Sequence, residues 1–201
     1  PTMTPVFRDL RYVRVPVPDL DAATAFGSDI LGLMIESAGE EAVYFRSDAR
    51  NHSLCYTAGG DAATVALTVA DRGELDQMMT QLEAAGHAPD WLDADQAAAR
   101  QVKAAISVAA PNGVMVDIVW RPLTSGWPFH GPRATGITGL QAVQMACSDV
   151  EADEDFWTRG IGGTVSDWAG RAAFVAHGVP RSDTRSGDVR KFCLYLHDVA
   201  R

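Results

Sequence analysis

Long apolar runs, basic blocks and paired cysteines are scarce or missing in this chain of 201 residues. Without a run of about 20 apolar residues there is no candidate transmembrane helix. The opening residues lack the charged and apolar regions of a secretory leader. The first residue is Pro1, as trimming of an initiator Met would leave, and a cytoplasmic product is expected. The three cysteines, Cys55, Cys147 and Cys193, fall in apolar strand-like runs with neither pairing nor metal-type spacing. That disfavours a disulfide framework and favours buried small side chains. A formal charge of -9 with no Lys/Arg cluster leaves no electrostatic footprint for nucleic acid or an anionic membrane. G-x-S-x-G, P-loop and G-x-G-x-x-G patterns are absent as well. GIGG at 160–163 is a helix exit with no helix start behind it, so it is no phosphate cradle.

What is present is an apolar fraction of 47%, enough for a core, and an internal repeat. RYVRVPVPDLDAATAFGSDILGL (11–33) returns as QAVQMACSDVEADEDFWTRGIGG (141–163). Leu10, Val13, Asp19, Ala22, Phe26 and Gly32 recur as Leu140, Val143, Asp149, Ala152, Phe156 and Gly162, with a constant offset. In each copy an alternating run reads as a strand and an Asp as the N-cap of a helix that a Gly closes. Phe26 and Phe156 are expected at equivalent core positions. EADED (151–155) is expected to be the solvated face and first turn of its helix.

Further strands are predicted at 42–46, 53–57 and 64–69. A helix follows with Leu75, Met78, Met79 and Leu82 on one face and Gly86 at its end. A polar, Ala-rich stretch then leads to a hairpin, 105–109 and 114–120, around Pro111-Asn112-Gly113. RPLTSGWPFHGPRATGIT (121–138), with three Pro and three Gly, reads as a linker. The second copy adds strands at 164–168, 172–176 and 191–196, and KFCLYLHD (191–198) parallels TVALTVAD (64–71). The expected architecture is α+β: a first module over 1–122, a linker over 123–138 and a second, incomplete module over 139–201. Two such modules can curl mixed or antiparallel sheets around a shared cup, a natural pocket. The tryptophans, Trp91, Trp120, Trp127, Trp157 and Trp168, either pack cores or stack on an aromatic ligand.

The pattern L-x-x-V-x-V-x-V-x-D-L-x-x-A-x-x-F-x-x-x-I-L-G-L (Leu10–Leu33) resembles the opening of a vicinal oxygen chelate module. This superfamily holds glyoxalases, bleomycin-resistance proteins and extradiol dioxygenases. YFRSDARNHSLCYTAGG (Tyr44–Gly60) is similar to the first module of catechol 2,3-dioxygenase-type enzymes, and PNGVMVDIVW (Pro111–Trp120) resembles a closing hairpin. The resemblance implies paired βαβββ modules. In the dioxygenases it implies Fe(II) or Mn(II) held by two His and one Glu in the second module, with positions left open for a catecholate and O2.

By that resemblance the first ligand position is Tyr12 in copy one and Ala142 in copy two. The second is Thr64 or Lys191. The third is Asp117, with no counterpart in copy two. Ala142 has no donor atom, and Lys191 carries a cation at neutral pH. His197, which shares strand parity with Lys191, and His177 are weaker candidates, against roles at a strand end and a turn. His52 is expected as a structural or inter-module hydrogen-bond partner, and His87 and His130 join no cluster. Two readings result. One is an extradiol-dioxygenase-like protein binding a catechol-type or other small aromatic compound with a degenerate metal triad. The other is a metal-free binding or sequestering protein, or a non-catalytic partner subunit. Homo-oligomeric assembly is expected in either case.

Overall fold

The computed structural model describes residues 7–60, 62–133, 136–169, 172–177 and 192–198. Strand β1 (Asp9–Val17) runs into α1 (Leu20–Ala25), whose N-cap Asp19 accepts a hydrogen bond from the Ala22 N–H at 2.9 Å. The helix continues through a π turn (Phe26–Ile30), and Gly32, at φ +68, turns the chain out of it. Strands β2 (Met34–Ala38), β3 (Ala42–Arg46) and β4 (Leu54–Ala58) follow, and β4 lies parallel to β1. The same events then recur. β5 (Thr64–Val69) leads to α2 (Arg72–Ala84), then β6 (Asp90–Trp91), a short α3 (Ala94–Ala99), β7 (Val102–Ala109) and β8 (Met115–Pro122), with β8 parallel to β5. A capping box of Asp71 and Glu74 starts α2, and its buried face is Leu75, Met78 and Leu82.

β1 and β5 lie side by side and antiparallel, so the sheet order is β2-β3-β4-β1-β5-β8-β7-β6. An approximate two-fold axis runs through the Val13–Val65 pair. Each of these valines stands six residues before the N-cap aspartate of its own helix, Asp19 or Asp71. A third run comprises β9 (Ala142–Cys147), α4 (Val150–Asp155) with its π turn (Phe156–Gly160), β10 (Thr164–Ala169), β11 (Ala172–His177) and β12 (Phe192–Asp198). It forms a second sheet, β10-β11-β12-β9, with β12 parallel to β9.

The fold is α+β with mixed sheets, as expected. Residues 9–122 hold two β-α-β-β-β units, and residues 142–198 hold one such unit with four strands. The second unit was hard to see because β6 is two exposed residues long and α3 interrupts it. KFCLYLHD also changes its counterpart. β12 lies parallel to β9 as β4 lies parallel to β1, whereas β5 is antiparallel to β1, so β12 matches β4.

The main core lies on the α2 side of the large sheet and reaches into the third unit. Leu67, Leu75, Met78, Leu82 and Ile118 cluster with Met145, Phe156, Trp157, Ile161 and Val175. Two expectations fail here. Phe26 is 48% exposed whereas Phe156 is fully buried, because the third unit packs its helix onto α2, where Phe156 joins the cluster of Leu75, Met78 and Leu82 and meets the His87 ring edge-on. Asp153, placed in a solvated run, is buried, and its Oδ1 accepts from the Asn112 N–H of the Pro-Asn-Gly turn at 3.2 Å. Among the described residues no helix is long and apolar enough to cross a membrane.

Candidate functional site

The strand period of two divides the large sheet into two faces. Val65, Leu67, Val116 and Ile118 point to the α2 side. Tyr12, Ala66 and Asp117 are successive cross-strand neighbours on the other face, and Thr64 lies two residues along from Ala66, opposite Arg14. Three residues singled out in the sequence, Tyr12, Thr64 and Asp117, therefore share one face of β1, β5 and β8. The same face carries Ala105 and Val119 and is covered by Ala97 of α3.

Asp117 is completely buried. Its Oδ2 accepts from the Tyr12 hydroxyl at 2.9 Å and from Arg100 Nε at 2.6 Å. Arg100 is the C-cap of α3, so the end of that helix delivers the guanidinium to the carboxylate. Burial and the adjacent Asp117 raise the Tyr12 phenol well above its usual range, so it remains a proton donor. The Tyr12 ring stacks on His52 at 4.8 Å, and Tyr44 meets His52 edge-on at 5.2 Å. His52 Nδ1 lies 2.8 Å from Gln101 Oε1, which also accepts from Asn51 Nδ2. An amide oxygen only accepts, so Nδ1 carries the imidazole proton. Burial lowers the His52 pKa to about 4, and the ring is neutral near pH 7. His52 thus ties the loop between β3 and β4 to the residue that follows Arg100. Gln101 holds this network from a left-handed backbone at φ 56, which a non-glycine residue adopts only when its surroundings enforce it. Sequence reading missed Arg100 and Gln101. The signal was the Asp93…Gln96 capping box, which marks a helix inside the Ala-rich stretch.

The arrangement is paired at one carboxylate oxygen only: Asp117 Oδ2 takes both donors, whereas Oδ1 is buried with no hydrogen-bond partner among the described residues. The Asp117 charge is matched by Arg100, and the site's hydroxyl donates to the carboxylate instead of facing a ligand. An open cleft of about 500 Å³ lies at the far ends of β5 and β8, lined by Arg8, Thr68, Asp71, Trp120 and Arg121.

In the third unit Ala142 lies on β9 with its side chain exposed. Lys191 lies outside the described residues. His197 is paired in register with Ala146 and Ala172, and His177 with Phe192 at the opposite end of the β11–β12 ladder. Five residues of strand, roughly 16 Å, separate the two histidines along the ladder. The backbone brings neither one beside Ala142, whose partner on β12 is Cys193.

No family model matches the chain. Biphenyl-2,3-diol 1,2-dioxygenase of Paraburkholderia xenovorans (strain LB400) is 30% identical over 169 residues, covering 80% of this chain and 56% of that protein. The enzyme of the same description from Sphingomonas paucimobilis is 29% identical over 159 residues, covering 74% and 53%. Among solved structures, a catechol 2,3-dioxygenase is 26% identical with a TM-score of 0.73, covering 96% of this chain and 67% of that one. A Mn(II)-bound glyoxalase from Novosphingobium aromaticivorans, 19% identical, matches in fold with a TM-score of 0.75, covering 97% and 63%. These likenesses to extradiol dioxygenases are consistent with the vicinal oxygen chelate superfamily. It spans about half the length of the curated relatives it matches.

The likeness raises the test of whether the donors of this chain fit Fe(II) or Mn(II). The described residues do not. Asp117 is already bonded to a cation and a phenol, Thr64 and Ala66 beside it add no strong ligand, and Ala142 has no donor atom. No cluster of three His, Cys, Asp or Glu suited to a metal exists among the described residues.

Proposed function

We propose that this protein is an extradiol-dioxygenase-like chain that binds a catechol-type or other small aromatic compound, with the usual metal triad degenerate in the residues given. The carrying observation is the Tyr12–Asp117–Arg100 arrangement. Tyr12 and Asp117 stand at positions where the resemblance implies ligands, and Arg100 balances the carboxylate charge at Oδ2. The likeness to dioxygenases named for biphenyl-2,3-diol supports a diol-bearing aromatic as the ligand class. Ala142 supports the second reading, a metal-free binding protein or non-catalytic partner subunit of the same fold.

One preparation tests both. Purified protein is loaded with Fe(II) without oxygen, and its metal is counted. It is then titrated with catechol and 2,3-dihydroxybiphenyl while tryptophan fluorescence is followed, before air is admitted. The expected result is saturable quenching, iron well below one per chain and no yellow ring-cleavage product. Stoichiometric iron with turnover, abolished by His197→Ala, overturns the degenerate-triad reading. Absence of saturable binding by either compound overturns the aromatic-ligand reading.

A further inference from the structure

We propose that the Tyr12 face of the large sheet binds two internal water molecules, each bridging a carboxylate to a hydroxyl on the neighbouring strand. One is held by Asp117 Oδ1 and Ser107 Oγ, the other by Asp9 Oδ1 and Thr68 Oγ1. The inference stands independently of any aromatic ligand.

The same arrangement occurs twice. Asp117 of β8 is paired in register with Ser107 of β7, and Asp9 of β1 with Thr68 of β5. Residues paired in this way project to one face, so each hydroxyl stands beside its carboxylate. Ser107 and Thr68 lie two residues along from Ala105 and Ala66, which places both on the Tyr12 face. In each aspartate Oδ2 faces guanidinium. Asp117 Oδ2 lies 2.6 Å from Arg100 Nε, and Asp9 Oδ2 lies 3.7 Å from Arg50 Nε and 3.9 Å from Arg11 Nη1. In each, Oδ1 is buried and has no hydrogen-bond partner among the described residues, and the paired hydroxyl has none either. Ser107 is 6% exposed and Thr68 7%, so these are interior groups.

Buried polar atoms are almost always paired. In neither pair does the hydroxyl donate to its carboxylate directly. An orphaned acceptor beside an orphaned hydroxyl therefore selects a molecule that donates to the first and bonds the second. Side chains beside Asp117 cannot supply that donor. Ala66, its partner on the other strand, and Ala97 and Ala105 of the same cluster carry only methyl groups. The ligand is neutral, because guanidinium already balances each carboxylate at Oδ2 and would repel a second cation nearby. It is small, because both oxygens of each pair are sealed from bulk solvent. Water meets all of these conditions. Each bridge fixes the second oxygen of a carboxylate that guanidinium holds from one side only.

A high-resolution crystal structure of the unaltered chain tests both sites. The expected density is one spherical peak at each, about 2.7–3.0 Å from both oxygens. In solution, magnetic relaxation dispersion of water oxygen counts long-lived internal waters. Ser107→Val and Thr68→Val, with unchanged circular dichroism, should each lower the dispersion amplitude by one water, and the double variant by two. Ser107→Ala takes the place of Ser107→Val if that variant does not fold, because it removes the hydroxyl without adding bulk. A hydroxyl bonded directly to its own carboxylate, the absence of a peak, or a peak with about six oxygen neighbours, as a cation has, overturns the proposal at that site. An amplitude unmoved by both folded variants overturns it at both.

Discussion

His52 is the residue at which solution conditions should read the site most directly. It is 2% exposed, sandwiched by Tyr12 and Tyr44, and tied through Nδ1 to Gln101. Its folded pKa of about 4 lies below the ordinary value near 6.5, with burial as the leading cause. The unfolded chain therefore takes up a proton first as the pH falls. The neutral ring's contribution is fully present above pH 6.5 and is lost as the pH drops through 4. The slope in that window is ~1.4 kcal/mol per pH unit, about 3 kcal/mol in all. Urea unfolding of the unaltered chain and of His52→Phe between pH 4.5 and 7.5 should show the two stabilities converging toward acid pH. Parallel curves would remove His52 as the titrating group. At this scale the sequence was half legible. Tyr12 and Asp117 could be named from their strand positions, but the Arg100 that pairs with Asp117 comes from the end of a short helix inside an Ala-rich stretch that carries no apolar periodicity.

Elements that repeat in sequence have not kept the same contacts. Strand pairing makes Phe45 and Val175 counterparts: Val13 pairs with Leu54 and Leu54 with Phe45, just as Val143 pairs with Leu194 and Leu194 with Val175. On the facing helices, Gly27 answers Trp157, the residue after each repeated Phe. In the first unit a Cβ on Gly27 would stand 2.7 Å from the Phe45 ring, so the sheet supplies the bulk. In the third unit the helix supplies it, with Trp157 buried in the core that contains Val175. The exchange keeps the space between helix and sheet filled. Periodicity finds both helices but cannot say which partner carries the ring, which is why Phe26 was placed in a core that it does not enter. Gly27→Ala should cost about 1–3 kcal/mol by overpacking, and most of that cost should vanish in a Phe45→Val background. A denaturant double-mutant cycle measures the coupling, and a cycle that closes additively would refute the exchange. Phe156→Ala should cost about 3–5 kcal/mol and Phe26→Ala within about 0.5.

Across the whole molecule, the two sheets share a core although their strands form separate ladders. α2 lies between them: Leu75, Met78 and Leu82 belong to the same cluster as Phe156, Trp157 and Ile161. Polar contacts pin the joint, with Gln81 Nε2 donating to the Gly160 carbonyl at 2.8 Å and the Asn112 N–H donating to Asp153 at 3.2 Å. A Pro/Gly-rich stretch between repeats suggested a linker between two modules, because linker composition is visible in sequence and a shared core is not. The face that packs α2 onto its own sheet also receives the third unit, and one apolar stripe cannot announce two partners. If the joint is structural, the sheets cannot unfold separately without exposing this cluster to water. Thermal unfolding followed by far-ultraviolet dichroism and by tryptophan fluorescence should then give one coincident transition. Trp157→Ala should lower both signals' midpoint together, with a loss of about 3–5 kcal/mol. Two separated transitions in the unaltered chain, with only the first moved by Trp157→Ala, would mean that the third unit folds on its own and that its contact with α2 contributes little.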